Sequence, residues 1–198
     1  KQEHIQLATL ADIDRKIQAC HTESGKVWMA KADIKAAYRT AAVRPQDWHI
    51  QGVKWQGKYY IDKFLSFGCR SSVDNWLLFA GALHFALARW HVHALFYVDD
   101  FLFIAPSKEE CQRQVDRFNE ICRQWHVELK QQDDCGPSQR LVALGIEYNL
   151  VDMCRRITPR RVDSTLNLIH ACSNSTRRKD WETLTGTMWF MIKCIPNA

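Results

Sequence analysis

The stretch "HALFYVDDFLFIA", His93 to Ala105, is apolar except for two adjacent carboxylates, Asp99 and Asp100. A run this hydrophobic is destined for a core, and the charged pair must sit where the chain turns back to solvent. The run therefore reads as two strands of a hairpin with the aspartates at its tip. Two carboxylates at the end of a buried hairpin fit either a solvated turn or a divalent-cation site. A second carboxylate source decides between them.

One is available. "KVWMAKAD" reads as a strand that ends at Asp33, followed by the helix-like "IKAAYR". Mg²⁺ takes oxygen ligands, and two-metal phosphoryl or nucleotidyl transfer gathers carboxylates from several elements at one end of a sheet. Tyr38 lies five residues beyond Asp33, about one helical turn past it. It reads either as a core tyrosine or as a ring placed under the sugar of a nucleotide.

The remaining elements alternate irregularly. "TLADIDRKIQAC" is a helix capped by Thr9, with Leu10, Ile13, Ile17 and Cys20 on one face. "HIQGVKWQGKYYIDKFL" is a hairpin turning at Gln56-Gly57, and an apolar helix covers Val73–Trp90. "PSKEECQRQVDRFNEICRQW" is an amphipathic helix with Ser107 and Glu110 in capping positions. Its stripe is Cys111, Val115, Phe118, Cys122 and Trp125. "RLVALGIEYN" and "MCRRIT" read as a hairpin turning near Val151-Asp152. Two helices follow, one capped by Thr158 with Pro159 at its first position, the other over Trp181–Cys194. The pattern is α+β: an antiparallel sheet with helices packed on one face.

Composition narrows the class. At 198 residues, 46% hydrophobic and 11% aromatic, the chain supports a substantial core and does not resemble a disordered one. The longest apolar run, Trp76–Trp90, is too short and interrupted to span a bilayer, so no membrane association is expected. No Cys-x-x-Cys occurs among the eight cysteines, and His91 and His93 have no cysteine at zinc-ligand spacing. Reduced thiols and the lack of a signal-peptide pattern point to a cytoplasmic or nuclear protein that is not secreted. The net charge is +5, and "CRRITPRR" and "TRRK" concentrate seven basic residues in the last quarter. Such clusters serve as solvated helix faces or as nucleic-acid contacts.

"DIKAAYR", "LSFGCRSS", "YVDD" and "LGIEY" stand in the order and spacing of reverse-transcriptase motifs A, B, C and E. The chain resembles the DIRS-like tyrosine-recombinase retrotransposons in particular. That likeness also covers "VRPQDWHIQGVKWQGKYYID", "CGPSQRLVALGIE" and "LTGTMWFMIKCIP". The resemblance implies an RNA-directed DNA polymerase with a right-hand palm. Residues 1–153 would hold the palm and partial fingers, and residues 154–198 the start of the thumb.

It implies site residues as well. Asp33, Asp99 and Asp100 would be the catalytic carboxylates, holding Mg²⁺ (or Mn²⁺) together with the backbone carbonyl of Ile34. Tyr38, Phe67, Gly68 and Arg70 would border the incoming dNTP, with Tyr38 the gate against a 2′-hydroxyl. Tyr97, Val98, Leu144, Gly145 and Ile146 would meet the primer on an RNA or DNA template. Arg155, Arg156, Arg160 and Arg161 would follow duplex phosphates.

The chain departs from the family pattern. Ser66 and Val73 replace two prolines of motif B, and Cys69 replaces a leucine. The lysine of motif D would fall at Asp133, with Lys130 three residues too early. The fingers strands that grip the triphosphate are expected before Lys1. A domesticated or decayed module that binds nucleic acid or protein without catalysis is the alternative reading.

Overall fold

The structure is a computed structural model and describes residues 7–130, 135–173 and 175–194. It divides into two compact units, Lys1–Ser138 and Gln139–Ala198. The boundary expected at 153/154 falls inside the second unit.

The first unit opens with α1 (Leu10–Ser24) and β1 (Trp28–Asp33). A short α2 (Ala37–Thr40) and a 3-10 turn lead to the hairpin β2 (Gly52–Trp55) and β3 (Lys58–Ile61). Then come α3 (Arg70–Arg89), β4 (Leu95–Tyr97), β5 (Asp100–Ala105), α4 (Lys108–Gln124) and β6 (Cys135–Ser138). The central sheet is antiparallel, in the order β4-β5-β1-β6.

The local signals act as expected at several ends. Thr9 caps α1 in a reciprocal box with Asp12, and Gly25 closes the helix in the left-handed conformation. Ser107 accepts the Glu110 N–H at the start of α4. Gln56 and Gly57, both at positive φ, make the two-residue turn between β2 and β3.

One face of the sheet presents Ala30, Ala32, Phe101, Phe103 and Ala105. Trp76, Ala80, Leu83 and Leu87 of α3 and Cys111, Phe118 and Cys122 of α4 pack onto it. Phe118 is central: it is fully buried, with its ring 4.9 Å from Phe101 and 5.3 Å from Phe103. The α4 stripe differs from the expected one at its ends. Gln114 and Ile121 are buried on it, whereas Trp125 is 41% exposed.

Two expected boundaries shift. α3 begins at Arg70, one turn before Val73, even though its N-cap Cys69 makes no side-chain capping bond. The last helix begins at Arg178 rather than Trp181. A larger difference lies in the second unit. "RLVALGIEYN" is not a single strand, because Leu144 and Gly145 adopt positive φ and turn the chain. The result is a meander of β7 (Arg140–Ala143), β8 (Ile146–Asn149) and β9 (Cys154–Ile157), followed by α5 (Pro159–Ser173) and α6 (Arg178–Ile192). Among the described residues, no helix is long and apolar enough to cross a membrane.

Phe118→Ala leaves a cavity between α4 and the sheet that the neighbouring rings cannot fill. Urea unfolding should show a loss of about 3–5 kcal/mol. A loss below about 1 kcal/mol would mean that α4 is not seated on the sheet as described.

Candidate active site

The β1–β5 ladder runs from Trp28↔Ala105 to Asp33↔Asp100. Because side chains alternate along a strand, Asp33 and Asp100 share the face opposite Ala32 and Phe101. Tyr97 pairs with Asp100 on the other side, so Tyr97, Asp100 and Asp33 form one row across three strands. Asp99 stands beside them in the two-residue turn between β4 and β5. The N–H of Ile34 donates to the Asp99 carbonyl at 3.1 Å, which ties the end of β1 to the turn.

That turn is strained. Val98 has φ 56°, a conformation that β-branched residues rarely adopt. The expected cost is about 1–3 kcal/mol. The indole Nε1 of Trp76 donates to the Val98 carbonyl at 3.0 Å, and Trp76 is itself fully buried beside Phe79. A helix of the core thus fixes the turn that aims Asp99. Sequence reading missed Trp76. Its only signal was a large polar-tipped aromatic inside an apolar helix.

The electrostatics follow from the crowding. Burial raises the pKa of Asp99, and the neighbouring Asp33 adds to the rise. Burial also pushes Asp100 up to about 6, with the charges of Asp33 and Asp99 reinforcing the shift. The Nζ of Lys130 lies 2.7 Å from Asp33 Oδ2. Lys130 also lowers the pKa of both Asp99 and Asp100, so its positive charge acts on the whole group. The expected motif D position, 133, lies outside the described residues.

Carboxylate oxygens are the donor type that Mg²⁺ and Mn²⁺ select. The Lys130 ammonium shows that a cation is already accommodated at Asp33. Among the described residues, no group of three or more His, Cys, Asp or Glu is arranged to hold an ion. The donor chemistry of the three aspartates fits a divalent metal, and the Lys130 ammonium lies on one of them.

The expected nucleotide residues are brought together in part. The Tyr38 and Phe67 rings meet edge to face at 4.9 Å, joining α2 to the loop before α3. Phe67 is 72% exposed, and Gly68 follows it at φ 83°, a conformation open to glycine. Arg70 is exposed at the first residue of α3. Lys35 pairs with Glu128 at 2.8 Å.

The residues expected at the primer and template divide between the two units. Tyr97 is 44% exposed beside the aspartates. Leu144, Gly145 and Ile146 form the β7–β8 turn and the start of β8. The four arginines differ among themselves. Arg155 donates to the Lys193 carbonyl at 2.6 Å, at the end of α6. Arg161 lies 4.4 Å over the Phe190 ring and against Gly145, where an added Cβ would come within 2.5 Å of its Nη2. Arg156 and Arg160 are exposed.

Comparison with known proteins places the chain by sequence family and by fold. Residues 3–132 match the family model described as reverse transcriptase (RNA-dependent DNA polymerase). No curated protein matches the sequence. Among solved structures, the chain is similar to a foamy viral protease-reverse transcriptase in complex with double-stranded DNA. The TM-score is 0.68 at 16% identity, over 82% of this chain and 27% of that one. The same viral enzyme in complex with an RNA/DNA hybrid gives a TM-score of 0.67 at 16% identity, over 82% and 21%. Telomerase from Candida albicans, in complex with a fragment of telomeric RNA, gives 0.58 at 12% identity, over 78% and 35%. The chain thus spans about a third or less of these solved chains, and at such identities the likeness establishes the fold.

The Asp100 shift predicts a pH dependence. A carboxyl whose folded pKa lies above its unfolded value binds its proton more tightly in the folded state. Its stabilising contribution is complete below 3.8 and is lost as pH rises to about 6. In metal-free buffer, the wild type minus Asp100→Asn stability difference, from urea unfolding, should therefore fall across that interval. A difference independent of pH would mean that Asp100 is not crowded as described.

Proposed function

Because the chain belongs to the reverse transcriptase (RNA-dependent DNA polymerase) family, we propose that it extends a primer as an RNA-directed DNA polymerase, joining dNTPs to a 3′-hydroxyl. The observation that carries this reading is the pairing of Asp33 with Asp100 across adjacent strand ends, with Asp99 in the turn beside them. No structural need of the sheet calls for three carboxylates there, and like charges placed opposite one another destabilise it.

In this reading Asp33 and Asp99 would hold two Mg²⁺ ions (or Mn²⁺), with Asp100 assisting and the Ile34 carbonyl as a further ligand. Bound there, the metals supply activation of the primer hydroxyl and neutralisation of the leaving pyrophosphate. The chain's own residues position the reactants. Tyr38, steadied by Phe67, lies under the sugar and excludes a 2′-hydroxyl. Gly68 lets the backbone before α3 pass close to the nucleotide, and Arg70 meets its phosphates. Tyr97 and Val98 border the primer end. Leu144, Gly145 and Ile146 support the primer strand.

The template partner is RNA or DNA carrying a primer. Of the basic residues in the second unit, exposed Arg156 and Arg160 suit phosphate contact directly, while Arg155 and Arg161 brace the elements that carry them. Residues 1–153 serve as palm and partial fingers, and 154–198 as the start of the thumb. The full motif set further supports an origin in a DIRS-like retrotransposon, acting in the cytoplasm or nucleus.

Metal-dependent extension of a DNA primer on an RNA template tests this. Asp99→Asn should lower the rate by about 10²-fold or more, the scale set by losing one preorganised electrostatic contact to the transition state. Circular dichroism should show an unchanged fold. Equal rates for the two proteins would remove Asp99 from the chemistry, and duplex binding without extension by the wild type would favour a non-catalytic binding module.

A further inference from the structure

Lys130 is 97 residues from Asp33 in sequence, yet its ammonium is 2.7 Å from the Asp33 carboxylate. The contact is built by the backbone as well as by the side chain. Residues 128–130 run antiparallel beside residues 33–35. Ile34 and Leu129 form a bridge, the Lys35 N–H donates to the Glu128 carbonyl at 2.8 Å, and the Lys130 N–H donates to the Asp33 carbonyl at 2.9 Å. The Lys35–Glu128 ion pair fastens the outer side of the same strap. A lysine delivered by this ladder cannot be a surface side chain that meets Asp33 by chance.

We propose that Lys130 is a resident counter-ion that competes with the divalent metal for Asp33, so that metal uptake is an exchange in which the Lys130 ammonium leaves the carboxylate. This rests on the metal-site reading of Asp33 and Asp99 given above. Three observations carry it. The ammonium occupies Asp33 Oδ2, one of the two oxygens through which this carboxylate could bind a metal. The Asp33 side chain is only 14% exposed, which leaves little room for both cations. The Lys130 side chain is 38% exposed, so it can swing to solvent without opening the core. The strap would stay in place during the exchange, because its backbone bonds do not involve the ammonium.

The consequence is a metal site held in good order without metal, at a cost in metal affinity. Removing the ammonium should tighten binding by about fivefold, the scale of a partly exposed ion pair. Keeping a cation of different shape should keep most of the competition.

Mn²⁺ titration followed by electron paramagnetic resonance of the free ion measures this without reference to activity. Lys130→Gln should bind Mn²⁺ about fivefold more tightly than wild type, the ion-pair scale again, and Lys130→Arg should stay close to wild type. Lys31→Gln, on the same strand as Asp33 and with the same loss of one positive charge, separates a general field effect from direct competition, and its gain should be smaller than that of Lys130→Gln. Unchanged or weaker binding by Lys130→Gln, or equal gains from Lys31→Gln, would overturn the proposal. Asp99→Asn distinguishes the two levels of the argument: if it binds Mn²⁺ as wild type does, the metal-site reading itself fails, whatever the Lys130 variants do.

Discussion

Two like charges held opposite each other on the β1–β5 ladder set the terms for the rest of the first unit. Asp33 and Asp100 are register partners at the end of the sheet, and Asp99 adds a third carboxylate one residue away. Such a group repels itself and resists burial, as the raised Asp99 and Asp100 pKa values show. The sheet tolerates it because the other end and the other face are richly apolar. Phe101, Phe103, Phe118 and Trp76 are all fully buried. Stability accumulated in that core offsets an unfavourable arrangement at the strand tips, and Lys130 reduces the repulsion further.

Strain is added to charge at the same place. Val98 sits in the left-handed region at a position where glycine would be comfortable. The Trp76 hydrogen bond to its carbonyl gives the turn a fixed attachment to α3. A flexible glycine turn would relieve the strain and leave the direction of Asp99 less well defined. Strain and charge coincide at this turn, although other turns, those at Gln56 and Leu144 among them, also place non-glycine residues at positive φ.

Much of this was legible in the sequence because it depends on short-range chemistry. Thr9 and Ser107 announce their helices through capping bonds to residues three positions on. Gln56-Gly57 announces its turn through the backbone freedom of glycine. Asp33 and the YVDD pair stand out as charges at the ends of apolar strands. What escaped depends on partners far away in sequence or on positive φ at residues that do not advertise it. The Leu144-Gly145 turn was concealed inside an apolar run. Its glycine is favoured by a φ of 76°, and Arg161 packs against it from α5. The arginine cluster looked uniform, yet two of its members support α6 while two face solvent. Lys130 looked like a misplaced motif lysine, because only the antiparallel strap beside residues 33–35 brings it to Asp33.

In the proposed function, the ends of β1 and β5 form a carboxylate site whose resident cation is exchangeable. Anomalous diffraction from crystals of the protein grown with Mn²⁺ tests it most directly. A manganese peak is expected within ligand distance of Asp33 and Asp99, with the Lys130 ammonium moved away from Asp33. A manganese peak elsewhere, or none at this site with Lys130 still on Asp33, would contradict it.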